Sequence, residues 1–284
     1  FEPSQYSWYA DLLSYKFVWL QHGVTKDNIQ KEANKLNTMD DFIVTASTWE
    51  FSEFSKTGYL YSKGDILFSC FARFDKLNDT KQKKIIVAPT WRKELVGKIL
   101  PNGHNEPKAG FTESKFYNSY IEFLTDKKLI DVLEKEDYHL DFVLHSGFTC
   151  YEDMFKCINT DRIHLIPLSE FSYNKEFCES ALFITDFSST AFDFAYMRKP
   201  VIYFQFDEKE FFENHYVKGT WDYRKDGLGP VVTETKELVD EVAKYLENDC
   251  KMSEKYQRRV EEQFTYSDKN SCKRIMDATR KCII

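Results

Sequence analysis

Short apolar runs alternate along the chain with longer segments whose apolar residues recur every three or four positions. The short runs predict strands at Lys16–Leu20, Asp41–Ala46, Ile66–Cys70, Lys84–Ala88, Leu140–Leu144, His164–Leu168, Leu182–Thr185 and Val201–Phe206. The longer segments predict helices at about 3–14, 27–38, 48–57, 113–136, 151–158, 174–180, 189–198, 235–248, 252–263 and 268–281. From Glu237 onward, Leu238, Val239, Val242, Tyr245 and Leu246 fall on one stripe, as in a helix laid on a core. Strands and helices alternating at these lengths imply an α/β fold, with parallel sheets covered by helices on both faces. Residues 97–112 cluster Gly, Pro and Asn and predict the longest loop, in which His104 reads as a solvent-exposed residue. The polar run Leu77–Lys84 separates two strand patterns. It predicts a boundary between a partial α/β domain at 1–77 and a complete one at 78–284.

The stretch Ala181–Asp207 reads as strand, polar turn, helix and strand. Ser188, Ser189 and Thr190 follow Asp186 and precede an apolar run at helical spacing, which Lys199 and Pro200 stop. Unpaired N–H groups of a first helical turn, with three hydroxyls beside them, suit an anion. The same residues also fit a plain cap, with Thr190 and Asp193 as a capping-box variant. Open parallel sheets bind ligands beyond the carboxyl ends of their strands. Four predicted ends here carry capable residues: Gln21-His22-Gly23, Pro89-Thr90-Trp91-Arg92, His145-Ser146-Gly147, and Asp186 with Ser188. Together they suggest phosphate chemistry. Arg92 offers a fork of donors, Thr90 and the 188–190 turn offer neutral donors, and a histidine can take a proton from a hydroxyl. The bland alternatives are that Arg92 pairs with a surface acid and that His145 is a satisfied core residue. No H-x-x-x-H or D-x-D spacing supports a metal, although Asp186 and Asp207 could converge in space. The absence of G-x-S-x-G argues against Ser188 or Ser189 as a covalent nucleophile.

Composition changes this picture only at its edges. The 284 residues are 42% hydrophobic and 30% charged, as in an ordinary globular protein. A net charge of −7, with acids and bases interspersed, argues against general nucleic-acid binding but leaves room for a local basic pocket. The seven cysteines show neither C-x-x-C nor zinc spacing and read as reduced thiols of a cytosolic compartment. The 17% aromatic content reads as core packing. No run approaches the roughly 18 apolar residues of a membrane span. Lys81–Lys84 is too short for a membrane-binding patch and reads as a solvated linker. An opening at Phe1 rather than Met suggests a piece of something longer.

LQHGVTKDN (20–28), APTWR (88–92), the His145 segment, ITDFSSTAFDFAY (184–196), KPVIYFQFD (199–207) and GLGPVV (227–232) occur in that order. Together they resemble the CDP-glycerol glycerophosphotransferase family, the polymerases and primases of teichoic acid and related capsule synthesis. FTYSDKNSCKRI (264–275) resembles the family's closing helix. The resemblance spans nearly the whole chain. It implies a GT-B architecture of two Rossmann-like domains, the N-terminal acceptor-side one incomplete here and the nucleotide on 78–284. It implies that an acceptor hydroxyl attacks the β-phosphorus of CDP-glycerol and that CMP leaves. By motif, His22 would be the general base. His145 would contact the pyrophosphate and stabilise its developing charge. Thr90, Arg92, Ser188 and Ser189 would hold phosphate oxygens, and Asp186 would set the turn or contact substrate. Gly23 and Thr190 complete the implied substrate-binding set. No cofactor is implied, and a divalent cation has no motif behind it. The implied partners are CDP-glycerol or CDP-ribitol and a lipid-linked polymer acceptor, with the protein cytoplasmic and peripheral at the inner membrane face. Oligomeric state is not legible. Two departures stand out. Val143-Leu144-His145-Ser146 replaces the family's Lys-His-Pro and leaves the pocket one cation short, and Cys70-Phe71-Ala72-Arg73-Phe74-Asp75 replaces Gly-x-Pro-Arg-x-Asp. The rival readings are a GT-B glycosyltransferase using a UDP- or GDP-sugar and a non-catalytic module of a larger polymerase.

Overall fold

The computed structural model describes residues 15–101 and 103–283, so the expected helix at 3–14 lies outside the described residues. The chain divides into two compact units. In the first, β1 (Val18–Trp19), β2 (Phe42–Thr45) and β3 (Ile66–Phe68) pair in parallel in that order. The second contains β4 (Lys84–Val87), β5 (Val96–Ile99), β6 (Asn105–Pro107), β7 (His139–Phe142) and β8 (Ile163–Leu165). It continues with β9 (Leu182–Thr185), β10 (Val201–Phe204) and β11 (Val231–Val232). Six of these strands form a parallel sheet in the order β11-β10-β9-β4-β7-β8, and β5 with β6 forms an antiparallel hairpin.

Burial on both faces explains why the sheet strands read as unbroken apolar runs: β4, β9 and β10 are buried at every position. Lys84 is the charged exception, and Asp141, Glu176 and Glu179 surround its ammonium group. The expected stripe on the helix Thr235–Glu247 buries Leu238, Val239, Val242, Tyr245 and Leu246 in the second unit's core. That core is strongly aromatic; Phe111 and Tyr151, for example, stack at 3.7 Å.

Polar caps subdivide two of the expected helices. Residues 113–136 form Lys115–Leu124 and Lys127–Glu136, because the Asp126 side chain accepts the Leu129 N–H and starts a new helix. Residues 27–38 break at Asn34, whose side chain accepts the N–H groups of Leu36 and Asn37. The expected long loop at 97–112 instead carries the β5–β6 hairpin. Its pattern is unreadable because Val96 is the one buried residue of β5. Among the described residues no helix is long and apolar enough to cross a membrane.

The division at Leu77 is not the whole boundary. The first unit also takes Lys218–Trp221 and the segment from Arg258 onward. This corrects the assignment of the last helix to the second domain, and side chains give the reason. Asp75 accepts the N–H groups of Ser271 and Cys272 at 2.8 and 2.9 Å, so a residue from the first segment caps the helix Ser271–Ile283. Phe74 packs edge-on against Phe264, and Arg274 lies 3.9 Å over the Tyr266 ring while donating to the Ser69 carbonyl. A Cβ at Gly219 would stand 2.2 Å from the Lys26 carbonyl oxygen, so glycine lets 218–221 lie against the 24–28 loop. Cys70 sits at φ 65°, the left-handed region, where the resembled pattern has glycine.

Candidate active site

The chain runs outward from β4 through β7 to β8, then returns with β9 on the other side of β4. The topological switch point therefore lies between β4 and β9, and ligands of such sheets bind beyond their carboxyl ends there. Thr90 and Arg92 follow β4, His145 follows β7, Asp186 to Thr190 follow β9, and Asp207 follows β10.

Arg92 is 1% exposed. Its Nε and Nη2 donate to Asp207 at 2.7 and 2.9 Å, Nη2 also lies 2.8 Å from Asp186 Oδ2, and Nη1 donates to the Thr90 carbonyl at 2.6 Å. The fork is spent on protein acceptors, which corrects the expectation that Arg92 holds phosphate oxygens. Its acids are buried rather than at the surface. Burial opposes the guanidinium charge, but Asp186 and Asp207 outweigh it and raise the pKa. Asp186 and Asp207 do converge, and what they converge on is this guanidinium. Asp186 is fully buried, and its Oδ1 accepts the N–H groups of Thr90 and Phe187 at 2.9 and 2.6 Å, so it sets the turn. Among the described residues, no cluster of three His, Cys, Asp or Glu has metal-holding geometry.

The remaining groups at the switch point are neutral. Thr90 Oγ1 is buried with no hydrogen-bond partner among the described residues. Ser188, Ser189 and Thr190 are partly exposed. Ser188 Oγ lies 2.7 Å from Thr190 Oγ1 and accepts the Thr190 N–H at 3.3 Å. The helix Thr190–Tyr196 starts from Ser189, whose side chain makes no cap bond, so the cap position falls one residue before the expected Thr190.

His145 is partly exposed, and its Nδ1 accepts the Gly147 N–H at 3.0 Å. That bond assigns the proton of the neutral ring to Nε2, which can then donate. Burial lowers the ring's pKa against the pull of Asp186 and favours the neutral form. Trp91 lies nearly parallel to the ring at 6.2 Å. A Cβ on Gly147 would stand 2.7 Å from the Trp91 Cδ2, so glycine lets the indole lie on the chain. A cavity of about 600 Å³ opens among segments that follow β7 and β8, lined by His104, Thr149, Cys150, Glu152, Leu168 and Ser169. His104, read from sequence as a plain loop residue, reaches it with Nδ1 3.0 Å from Thr149 Oγ1.

His22 and Gly23 belong to the first unit, where His22 is exposed beyond β1. Gln21 takes the left-handed φ of 55°, donates to the Val44 carbonyl at 2.6 Å and accepts from Thr25 Oγ1. Beneath this loop, fully buried Glu50 accepts the N–H groups of Thr25 and Ala46 at 2.7 and 2.8 Å. The sequence reading named Gln21 as a strand-end residue but missed Glu50; the Ser47-x-x-Glu50 spacing was the available signal. Burial pushes the Glu50 carboxyl from its ordinary 4.5 up to about 8, against those hydrogen bonds. Between these values the folded protein keeps a proton that the unfolded chain has released. Stability should therefore fall as pH rises through this window. Glu50→Gln should flatten that part of the profile, at a fixed cost from one lost acceptor. Thermal denaturation across the window checks it, and an unchanged slope in the variant would assign the dependence elsewhere.

The sequence pattern of the family described as CDP-glycerol:poly(glycerophosphate) glycerophosphotransferase matches residues 14–281. The chain is 34% identical over 275 residues to the minor teichoic acid biosynthesis protein GgaB of Bacillus subtilis, across 95% of this chain and 30% of that protein. It is 25% identical over 241 residues to a teichoic acid glycerol-phosphate transferase of Staphylococcus aureus, across 77% of this chain and 54% of that one. It thus spans about a third to a half of the length of these relatives. Its structure superposes on the wall teichoic acid polymerase TagF with a TM-score of 0.66 at 17% identity, over 94% of this chain and 68% of that one. The fold is GT-B-like.

Proposed function

Because this chain belongs to the CDP-glycerol:poly(glycerophosphate) glycerophosphotransferase family, we propose that it transfers glycerol phosphate from CDP-glycerol to a hydroxyl of a growing teichoic-acid-like polymer. The observation that carries this reading is the set of neutral donors at the β4–β9 switch point: Thr90 Oγ1, the His145 Nε2–H and the hydroxyls of Ser188, Ser189 and Thr190. We place the donor's diphosphate there. The neighbouring cavity of about 600 Å³ is of a size to take the nucleoside.

In this reading the acceptor oxygen bonds to the β-phosphorus, the bond from that phosphorus to the bridging oxygen breaks, and CMP leaves with the bridging oxygen. His22 takes the acceptor's proton, with Gly23 beside it. Charge grows on the departing phosphate, where the His145 N–H and the hydroxyls stabilise it. Such transfers depend mainly on positioning and electrostatic stabilisation. The acceptor would be a lipid-carried polymer at the inner membrane face, with the protein peripheral there. CDP-ribitol is the other donor that fits the same chemistry.

Calorimetric titration with CDP-glycerol, CDP-ribitol, CMP and UDP-glucose side by side tests the proposal. Selective binding of a CDP-polyol supports it, and the tighter ligand names the donor. A preference for UDP-glucose would move the chain to the sugar transferases. Absence of CDP-polyol binding by the intact protein would overturn the reading.

A further inference from the structure

His215 lies outside every motif quoted above. It follows the helix Glu208–Asn214, which comes after β10, and it is partly buried. Its Nδ1 accepts the Lys93 backbone N–H at 3.1 Å. A neutral imidazole nitrogen that accepts a hydrogen bond carries no proton, so the proton belongs to Nε2. Burial and the nearby Arg92 charge lower the ring's pKa to about 4, which keeps it neutral. Three rings fix its orientation: Phe211 stacks on it at 4.9 Å, while Trp91 and Tyr216 meet it edge-on at 5.0 and 4.3 Å. Lys93 directly follows Arg92 beyond the end of β4, and Trp91 precedes it, so these two contacts put the ring beside the switch point.

His145 and His215 thus share one plan. In each, Nδ1 holds a backbone N–H, Trp91 stands beside the ring, and Nε2–H has no partner among the described residues. Arg92, meanwhile, offers the ligand no free donor. A diphosphate carries several charged oxygens, and each gains from an N–H aimed at it.

We propose that His215 donates a hydrogen bond from Nε2 to a diphosphate oxygen of the nucleotide, as a second neutral imidazole alongside His145. This inference rests on the proposed placement of the diphosphate at the β4–β9 switch point. The two amide substitutions separate its roles. Asparagine can place an oxygen where Nδ1 accepts from Lys93 but has nothing at Nε2; glutamine can place a donor near Nε2 but gives up the Lys93 bond.

In the intact protein, His215→Asn should weaken CDP-glycerol binding by about 10-fold, the scale of one hydrogen bond to a charged group, and leave cytidine binding unchanged. His215→Gln should recover most of the loss. His215→Asn binding CDP-glycerol as the wild type does, or losing both ligands equally, would overturn the inference. So would a glutamine variant weaker than the asparagine one, since that assigns the effect to the Lys93 contact. A wild-type protein that binds cytidine but gains nothing from the diphosphate would overturn the placement itself, and the inference with it.

Discussion

Replacing Arg92 by alanine is expected to destabilise the second unit by about 3–5 kcal/mol, the usual result of removing one partner from a buried ion pair. Asp186 and Asp207 are 0% and 5% exposed, and the guanidinium is the cation they share. Without it two carboxylates stay buried beside each other, and the ends of β4, β9 and β10 lose their common tie. Set against the roughly 5–15 kcal/mol that holds a typical protein folded, this loss would leave little native protein. Arg92→Lys should also destabilise, by less. One ammonium keeps the charge but cannot reach both Asp207 oxygens, Asp186 and the Thr90 carbonyl in the geometry of a planar fork. Urea denaturation of both variants measures this. Normal stability with weakened nucleotide binding would return the guanidinium to the phosphate and overturn the structural assignment.

His22→Ala is expected to lower turnover by about 10²–10⁴-fold, the range of a lost general base, while CDP-glycerol affinity stays near normal. The proposed diphosphate donors are all residues of the second unit, whereas His22 belongs to the first. His22 is exposed, and its loop is held by Gln21 and Glu50, so alanine should leave the loop in place. Turnover and calorimetry on one preparation check both halves. A variant that loses nucleotide affinity along with turnover would show that the base assignment is wrong.

The strands were legible because burial on both faces forces runs such as Leu182–Thr185 to be apolar throughout. The switch-point turn was legible because its hydroxyls follow such a run directly. What Arg92 faces was not legible. Residue type says that a guanidinium suits phosphate, but Asp207, 115 positions further along, claims it first. His215 was hidden for a related reason: its partner Lys93 lies 122 positions away, and no local spacing marks it. The caps at Asn34 and Asp126 could have been read, since a short polar acceptor inside a helical period is a known start signal. The transfer of the last helix to the first unit could not, because it depends on where Asp75 ends up in space.

That cap also bears on how the protein is made. Asp75 waits for a helix whose start lies 196 residues further along. At typical synthesis rates of 5–20 residues per second, the wait is roughly 10–40 s. During it, Phe74 has no Phe264 to pack against, and the Ser69 carbonyl has no Arg274. Every strand of the six-stranded sheet lies between Lys84 and Val232, so that sheet can close before the ribosome reaches Arg258. The β1–β3 unit, made before the six-stranded sheet, is therefore completed after it, and a nascent-chain chaperone would find its work there.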